Sequence, residues 1–382
     1  MSGDRRDEVG EAASDAARDR GASGAPDGAA DGGVAARPSE AAGTADGGVG
    51  DSAGDPGSDA VTVASALAAG AARIAREARS ETARLDAELL LGDALGVRRE
   101  DLFAAPERAL DLEERQRFER ALKRRGAFEP VAYILGRRAF RTIELEVNDN
   151  TLIPRPETET LVEVALERLT DLECDELLAL DIGTGSGNIA LALAAEHPTV
   201  HVLAVDFHPA PLEVAARNAR RLGLEDRVMV MLSDVYDDLP PGVAFDLIVS
   251  NPPYVTPESL RRLRPEIRGW EPHVALRAER GGMEFYERIV PAAPPRLRPG
   301  GALAVEIPEM RLLDVLSLFV EVGAFEDIDA RNDLGGRPRV VSGRLKAPGT
   351  DGGATGAVAA DGASADGAGA GGDADRAVAG RD

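Results

Sequence analysis

Between Leu177 and Ile307 the chain keeps one rhythm: a short apolar run, a turn, then a stretch with helical spacing. Strands are expected at residues 177–182, 200–206, 228–232, 245–250 and 302–307, with helices between them. Runs that are apolar on both faces and alternate with helices imply a parallel sheet covered on both sides, the doubly wound α/β class. Ligands of such open sheets bind in the crevice outside the carboxyl ends of the strands, so the strand ends are where chemistry should be sought. Two later β candidates, at 325–330 and 339–345, are joined by "RNDLGGRP" and predict a terminal antiparallel hairpin.

Upstream the period changes. From Val61 to about Gly126, "VASALAAGAARIAREA", "ETARLDAELLLGDALG" and "LEERQRFERALKRR" space their apolar residues by three and four, which predicts a small helical domain. Leu85, Leu89, Leu90 and Leu91 are expected to form the core stripe of its second helix, ended by Gly92 or Gly96. Residues 131–153, with "PVAYILGRRAFRTIELEV", predict a linking β-hairpin. "LIPRPETETLVEVALERL" then predicts a helix entered through prolines, opening the main domain at 154–346. Residues 1–60 and 347–382 are Ala, Gly, Asp and Ser with few large apolar side chains; such segments bury too little surface to offset their ordering entropy, and both are expected to be disordered tails. No internal repeat is present.

The net charge of −23 is −8 over the first 60 residues, −4 over the last 36 and −11 over the remainder. Acidity outside the tails argues against bare duplex DNA as the main partner, because phosphate neutralisation dominates that affinity. Cys174 is the one cysteine, which excludes an intramolecular disulfide and a thiolate cluster. His197 and His201 have the spacing of a zinc helix, but Pro198 and the β-branched residues after it predict loop and strand, so no metal site is expected. With no long apolar run and no leader-like N-terminus, the expectation is a soluble cytoplasmic protein, acting as a monomer and away from membranes.

The first main-domain strand runs into "LDIGTGSGNIALALA". Asp181 stands at its carboxyl end, and Gly183, Gly185 and Gly187 would let the backbone approach a ligand before a helix opens at Asn188. Alone, the turn could be a tight strand-to-helix connection, and its GxGxG spacing leans away from a dinucleotide. The second strand ends at Asp206, 23 residues after Gly183, where a carboxylate can accept from ribose hydroxyls. The third runs out at Asp234. Three acids at three successive strand ends around one glycine loop resemble the cofactor crevice of the class I S-adenosylmethionine methyltransferases, a Rossmann-like fold. The resemblance implies that Asp181, Gly183, Thr184, Gly185, Ser186, Gly187, Asp206, Asp234, Val235 and Asn251 bind S-adenosyl-L-methionine.

At the mouth of the fourth strand the chain reads "SNPPYV" from Ser250 to Val255. An amide or aniline-like nitrogen is a poor nucleophile, since its lone pair is delocalised. The side-chain oxygen of Asn251 and the carbonyl of Pro252 can each accept one of its N–H bonds, proline having an acceptor and no donor. Such acceptors strengthen as positive charge grows on nitrogen. Tyr254 can pack on the flat face of the substrate group. The motif speaks for methylation of a planar nitrogen without saying which.

"YILGRRAF", "LIPRPETETLVEVAL", "DIGTGSGNIALALA", "VSNPPYV", "WEPHVAL" and "DLGGRPRVV", in this order, closely resemble the HemK family of peptide chain release factor N5-glutamine methyltransferases. That resemblance spans about Val61 to Leu345 and implies a seven-stranded methyltransferase sheet behind a helical domain, at 61–130, that recognises the substrate. It implies that the glutamine of the Gly-Gly-Gln motif in a class I release factor is methylated on its side-chain nitrogen. Asn251, Pro252, Pro253, Tyr254 and Arg155 would bind that glutamine, with Asn251, Pro252 and Tyr254 catalytic. Glu157 and Glu159 would line the site or belong to an inter-domain charge cluster. The chain departs from the family at Pro308, where glycine is usual. An N6-adenine nucleic-acid methyltransferase is the alternative, and would need a basic groove and a target-reading insertion. A non-catalytic scaffold on the same fold would have lost the glycine loop or "NPPY", and both are intact.

Overall fold

The computed structural model describes residues 60–172 and 174–347. Both expected tails, apart from Ala60 and Ala347, lie outside the described residues. The helical segment opens with α1 (Val63–Glu77), α2 (Ala83–Leu95), α3 (Asp101–Ala104) and α4 (Leu112–Gly126). Reciprocal capping boxes start two of them, Thr62 with Ser65 for α1 and Asp111 with Glu114 for α4, each satisfying two otherwise orphaned N–H groups. Gly96, left-handed at φ 67°, ends α2; Gly92 lies inside it.

The core stripe of α2 departs from the expected set. Ala83, Ala87, Leu90, Leu91 and Ala94 are buried, whereas Leu85 is 39 % exposed. Residue 85 lies about 200° around the helix from 87, on the far side, and the alanines let α2 pack close to its neighbours. The linking segment also differs: Val131–Leu135 forms a helical turn, α5, before the hairpin of β1 (Arg137–Phe140) and β2 (Ile143–Glu146). Pro130 supplies an entry compatible with that turn, and Gly136 at φ 70° ends it.

Next come α6 (Thr158–Thr170), β3 (Leu177–Ile182), α7 (Asn188–Glu196), β4 (Val200–Asp206), α8 (Pro209–Leu222), β5 (Val228–Leu232) and β6 (Phe245–Ser250). After β6 run two short helices, α9 (Pro257–Leu260) and α10 (Pro265–Trp270), then α11 (Glu284–Ala292), β7 (Leu297–Glu306), α12 (Leu312–Val322), β8 (Phe325–Asn332) and β9 (Pro338–Leu345). The seven-stranded sheet has the order β5-β4-β3-β6-β7-β9-β8, parallel through β7, with β9 and β8 antiparallel. Thus β7 begins five residues earlier than expected, because Leu297 pairs with Phe245 ahead of a register shift. Leu161, Leu191 and Ala219 of α6, α7 and α8 share one buried cluster, Tyr286 and Phe319 of α11 and α12 another. The helices therefore cover both faces. Strand order reverses between β3 and β6, which makes their carboxyl ends the topological switch point.

Pro308 sits at φ −74°, ψ 143°, a conformation natural to proline, and Ile307 still donates to the Arg339 carbonyl at 2.7 Å. The replaced glycine leaves no strain behind. Among the described residues no helix is long and apolar enough to cross a membrane.

Candidate functional site

A cavity opens at the switch point, walled by Gly183, Gly185, Asp206, Asp234, Val235, Asn251, Pro252 and Pro253 together with residues from three other segments. Each of the three glycines has positive φ, at 75°, 57° and 84° for Gly183, Gly185 and Gly187. Their surroundings differ. A Cβ on Gly183 or Gly185 would meet nothing within 4 Å, whereas one on Gly187 would sit 2.9 Å from Leu191 Cδ1 and 3.3 Å from Ala215. The first two keep space open beside the cavity; the third lets the loop press against α7 and α8.

Asp181 does not line the cavity. It is fully buried, and its Oδ2 accepts from the Thr184 hydroxyl at 2.7 Å and from Ala190 N at 3.2 Å. It therefore caps α7 from a distance and ties the glycine loop to that helix. Burial pushes its carboxyl up to about 7, opposed by the Thr184 and Ala190 hydrogen bonds. Thr184 and Ser186 are 1 % exposed and, like Gly187, stand outside the cavity wall. Asn218 on α8, completely buried, braces the loop by donating to the Ser186 carbonyl while its side chain exchanges hydrogen bonds with the backbone of Glu146.

Asp206 does face the cavity. Gly185 N and His208 N each donate to it at 3.1 Å, and burial raises its pKa despite them. Asp234 is half exposed and pairs with Arg288 on α11 at 2.9 Å. The next residue, Val235, holds φ 58°, a left-handed geometry that a β-branched side chain adopts at a cost of about 1–3 kcal/mol. Phe207 and Phe285 add flat apolar walls to the same cavity.

Across the mouth, Asn251, Pro252 and Pro253 line the opening. Asn251 Nδ2 donates to Thr158 Oγ1 at 3.2 Å. Among the described residues no donor reaches the Asn251 side-chain oxygen or the Pro252 carbonyl. Tyr254 lies behind the wall, packed against the α11 and α12 cluster, and burial pushes its phenol up to about 12. Arg155 is also outside the cavity and is committed to Glu271 at 2.5 Å. Glu271 in turn accepts from Ile153 N at 3.2 Å, which fixes the segment carrying Val274 and Ala275 into the cavity wall. Glu159 accepts from the backbone of Arg141 at the hairpin turn, and Glu157 stays by a separate surface hollow.

Several wall residues carried no sequence signal. Phe207 and Phe285 read as ordinary apolar residues, and Asn150 to Leu152 as linker.

The PrmC N-terminal domain family matches residues 65–136, and the methyltransferase small domain family residues 160–263. A release factor glutamine methyltransferase of Cereibacter sphaeroides is 42 % identical over 284 residues, 74 % of this chain and 99 % of that protein. One from Rhodopirellula baltica is 38 % identical over 70 % of this chain and 91 % of its own length. A crystal structure of a release factor-specific protein-(glutamine-N5) methyltransferase from Alicyclobacillus acidocaldarius is 28 % identical, covering 53 % of this chain and 99 % of that one with a TM-score of 0.33. Because the likeness to the curated relatives runs through the helical segment as well as the sheet and takes in nearly all of each, this chain belongs to the release factor glutamine methyltransferase family.

Proposed function

We propose that the protein methylates the side-chain nitrogen of the glutamine in the Gly-Gly-Gln motif of a class I peptide chain release factor, with S-adenosyl-L-methionine as donor. The observation that carries this reading is the pair of oxygens at the mouth of β6, on Asn251 and Pro252, that no donor of the described chain satisfies. Two acceptors side by side suit a primary carboxamide, which has two N–H bonds to give. They hold the nitrogen so that its lone pair points into the cavity, and they bind it more strongly as it becomes cationic.

The cofactor fits the other half of the cavity. Gly183 and Gly185 leave room for backbone approach, Asp206 offers a carboxylate for ribose hydroxyls, and Phe207, Val235 and Phe285 form an apolar slot for a purine. Bound there, S-adenosylmethionine would supply an electrophilic sulfonium methyl. On this view Asp234 would meet the purine and Asn251 would sit between cofactor and substrate; both line the cavity. In this reading Asp181, Thr184, Ser186 and Gly187 act by shaping the glycine loop, Tyr254 by backing the "NPPY" turn, and Arg155 by bracing the segment around Glu271. Residues 61–130 are the substrate-recognition domain and 154–346 the catalytic one. A translation factor as partner sets the reaction in the cytoplasm, and the site needs only one chain.

The test offers labelled cofactor with a release factor, the same factor with its Gly-Gly-Gln glutamine replaced, or duplex DNA. Label is expected in the first alone. Equal label in the replaced factor, or label in DNA, defeats the reading.

A further inference from the structure

Two stretches of the cavity wall come from outside the sheet. Asn150, Thr151 and Leu152 belong to the segment after the β1–β2 hairpin, and Val274 and Ala275 to the connection between β6 and β7. A loop has no ladder to fix it, so hydrogen bonds from outside decide where its backbone sits. Both stretches are held by one small junction. Tyr133 of α5, 8 % exposed, donates its hydroxyl to the Thr151 carbonyl at 2.6 Å. Trp270, the last residue of α10, packs on the buried cluster of Ala132, Tyr133, Val147 and Ile153. Its indole N–H donates to the Ala127 carbonyl at 3.2 Å, one residue past the end of α4.

The junction joins the two walls to each other and to the helical segment. Ile153 N, beside Leu152, donates to Glu271, beside Trp270, and three residues later the chain is in the cavity wall at Val274. The same connection then runs along the residue after "NPPY": Val255 N donates to the Leu276 carbonyl at 2.8 Å, and Ala278 N to the Val255 carbonyl at 3.0 Å. On the other side, Arg124 of α4 donates to the Ile134 carbonyl of α5 at 3.3 Å, and Arg125 to Glu266 of α10 at 3.1 Å. Tyr133 and Trp270 themselves stand outside the cavity wall.

We propose that Tyr133 and Trp270 are positioning residues for methyl transfer, which set both loop walls of the cavity from the helical side of the molecule. The inference rests on the methyl-transfer reading above, and its test separates the two. Tyr133→Phe keeps the ring and removes the hydroxyl. In the full-length protein it should weaken S-adenosylhomocysteine by ~3–10-fold in titration calorimetry, the worth of one buried hydrogen bond. The cofactor KM should rise in step, with the release factor KM within ~2-fold of wild type. Trp270→Ala should weaken the same ligand by ~3–10-fold, and Trp270→Phe, which keeps most of the packing, should recover the larger part of that loss. Affinity within ~2-fold of wild type in Tyr133→Phe, or a Trp270→Phe as damaged as Trp270→Ala, overturns the proposal. Melting temperatures identify a variant that fails to fold, in which case the other position and a ligand-free measurement decide.

That measurement is amide hydrogen exchange without cofactor. Tyr133→Phe should speed exchange over residues 150–155 and also over 271–276, because Ile153 and Glu271 link the two walls. Acceleration confined to the first stretch, or none in either, refutes a shared junction. A wild-type protein that labels no release factor sinks the functional reading, while the exchange comparison still judges the junction.

Discussion

Asn251→Ala is the most informative single substitution. It removes the side-chain oxygen at the cavity mouth and leaves the Pro252 carbonyl in place. An acceptor that strengthens as charge develops on the reacting nitrogen contributes mainly at the transition state, so kcat should fall by ~10²–10³-fold, or about 3–4 kcal/mol. Ground-state binding of the carboxamide loses one ordinary hydrogen bond, about 1 kcal/mol, so KM for the release factor should rise only a few-fold. In the proposed reading the purine and ribose would be held around Asp206, Phe207 and Val235, all of which line the cavity, so affinity for S-adenosylhomocysteine, read by titration calorimetry, should be nearly unchanged. Stability should suffer little. The side chain makes a single hydrogen bond to the rest of the chain, to Thr158, and its loss costs about 1 kcal/mol, a few degrees in Tm. Steady-state methyl transfer to the release factor gives kcat, and a single-turnover measurement isolates the chemical step. If turnover stays within ~5-fold of wild type, or if cofactor affinity falls in step with it, Asn251 is a structural residue and the transition-state argument fails.

Other expectations concern the scaffold around that contact. Gly187→Ala should destabilise the protein by about 2–4 kcal/mol in a denaturant titration, because φ 84° is combined with a Cβ only 2.9 Å from Leu191; Gly183→Ala, with open space around it, should weaken cofactor binding more than folding. The raised carboxyl of Asp181 contributes stability below its unfolded value near 3.8 and loses it as pH rises through about 7. The Tm of wild type relative to Asp181→Asn should accordingly drop between about pH 4 and 7 and level off above, and parallel curves would show that the carboxyl does not titrate there. Arg125 on α4, 4 % exposed, joins Asp86 at 2.9 Å to Glu266 of α10 at 3.1 Å. Arg125→Met should cost about 3–5 kcal/mol by stranding Asp86, and a loss under ~1 kcal/mol in chemical denaturation would mean the pair is solvated.

The strands, their parallel order and the helices between them were legible because each depends on local periodicity and on burial of both sheet faces. The glycine loop, Asp206 and "NPPY" were legible for a related reason: a strand's carboxyl end is a fixed place, and residues written just after it arrive at one crevice. Resemblance to a family supplied the substrate, which no periodicity encodes. The helical turn at 131–135 and the far-side position of Leu85 were misread because a five-residue run and three adjacent leucines fit more than one pattern.

What only the tertiary structure decided is which side chains spend themselves on the protein and which remain for a ligand. Asp181 and Arg155 read as site residues in the sequence, yet one caps a helix and the other holds Glu271, 116 residues further on. Thr158 reads as incidental, yet its hydroxyl accepts from the Asn251 amide at 3.2 Å across 93 residues of chain. A hydrogen-bond donor is used once, and whether it is used is settled by long-range approach across the sheet, which local sequence does not contain.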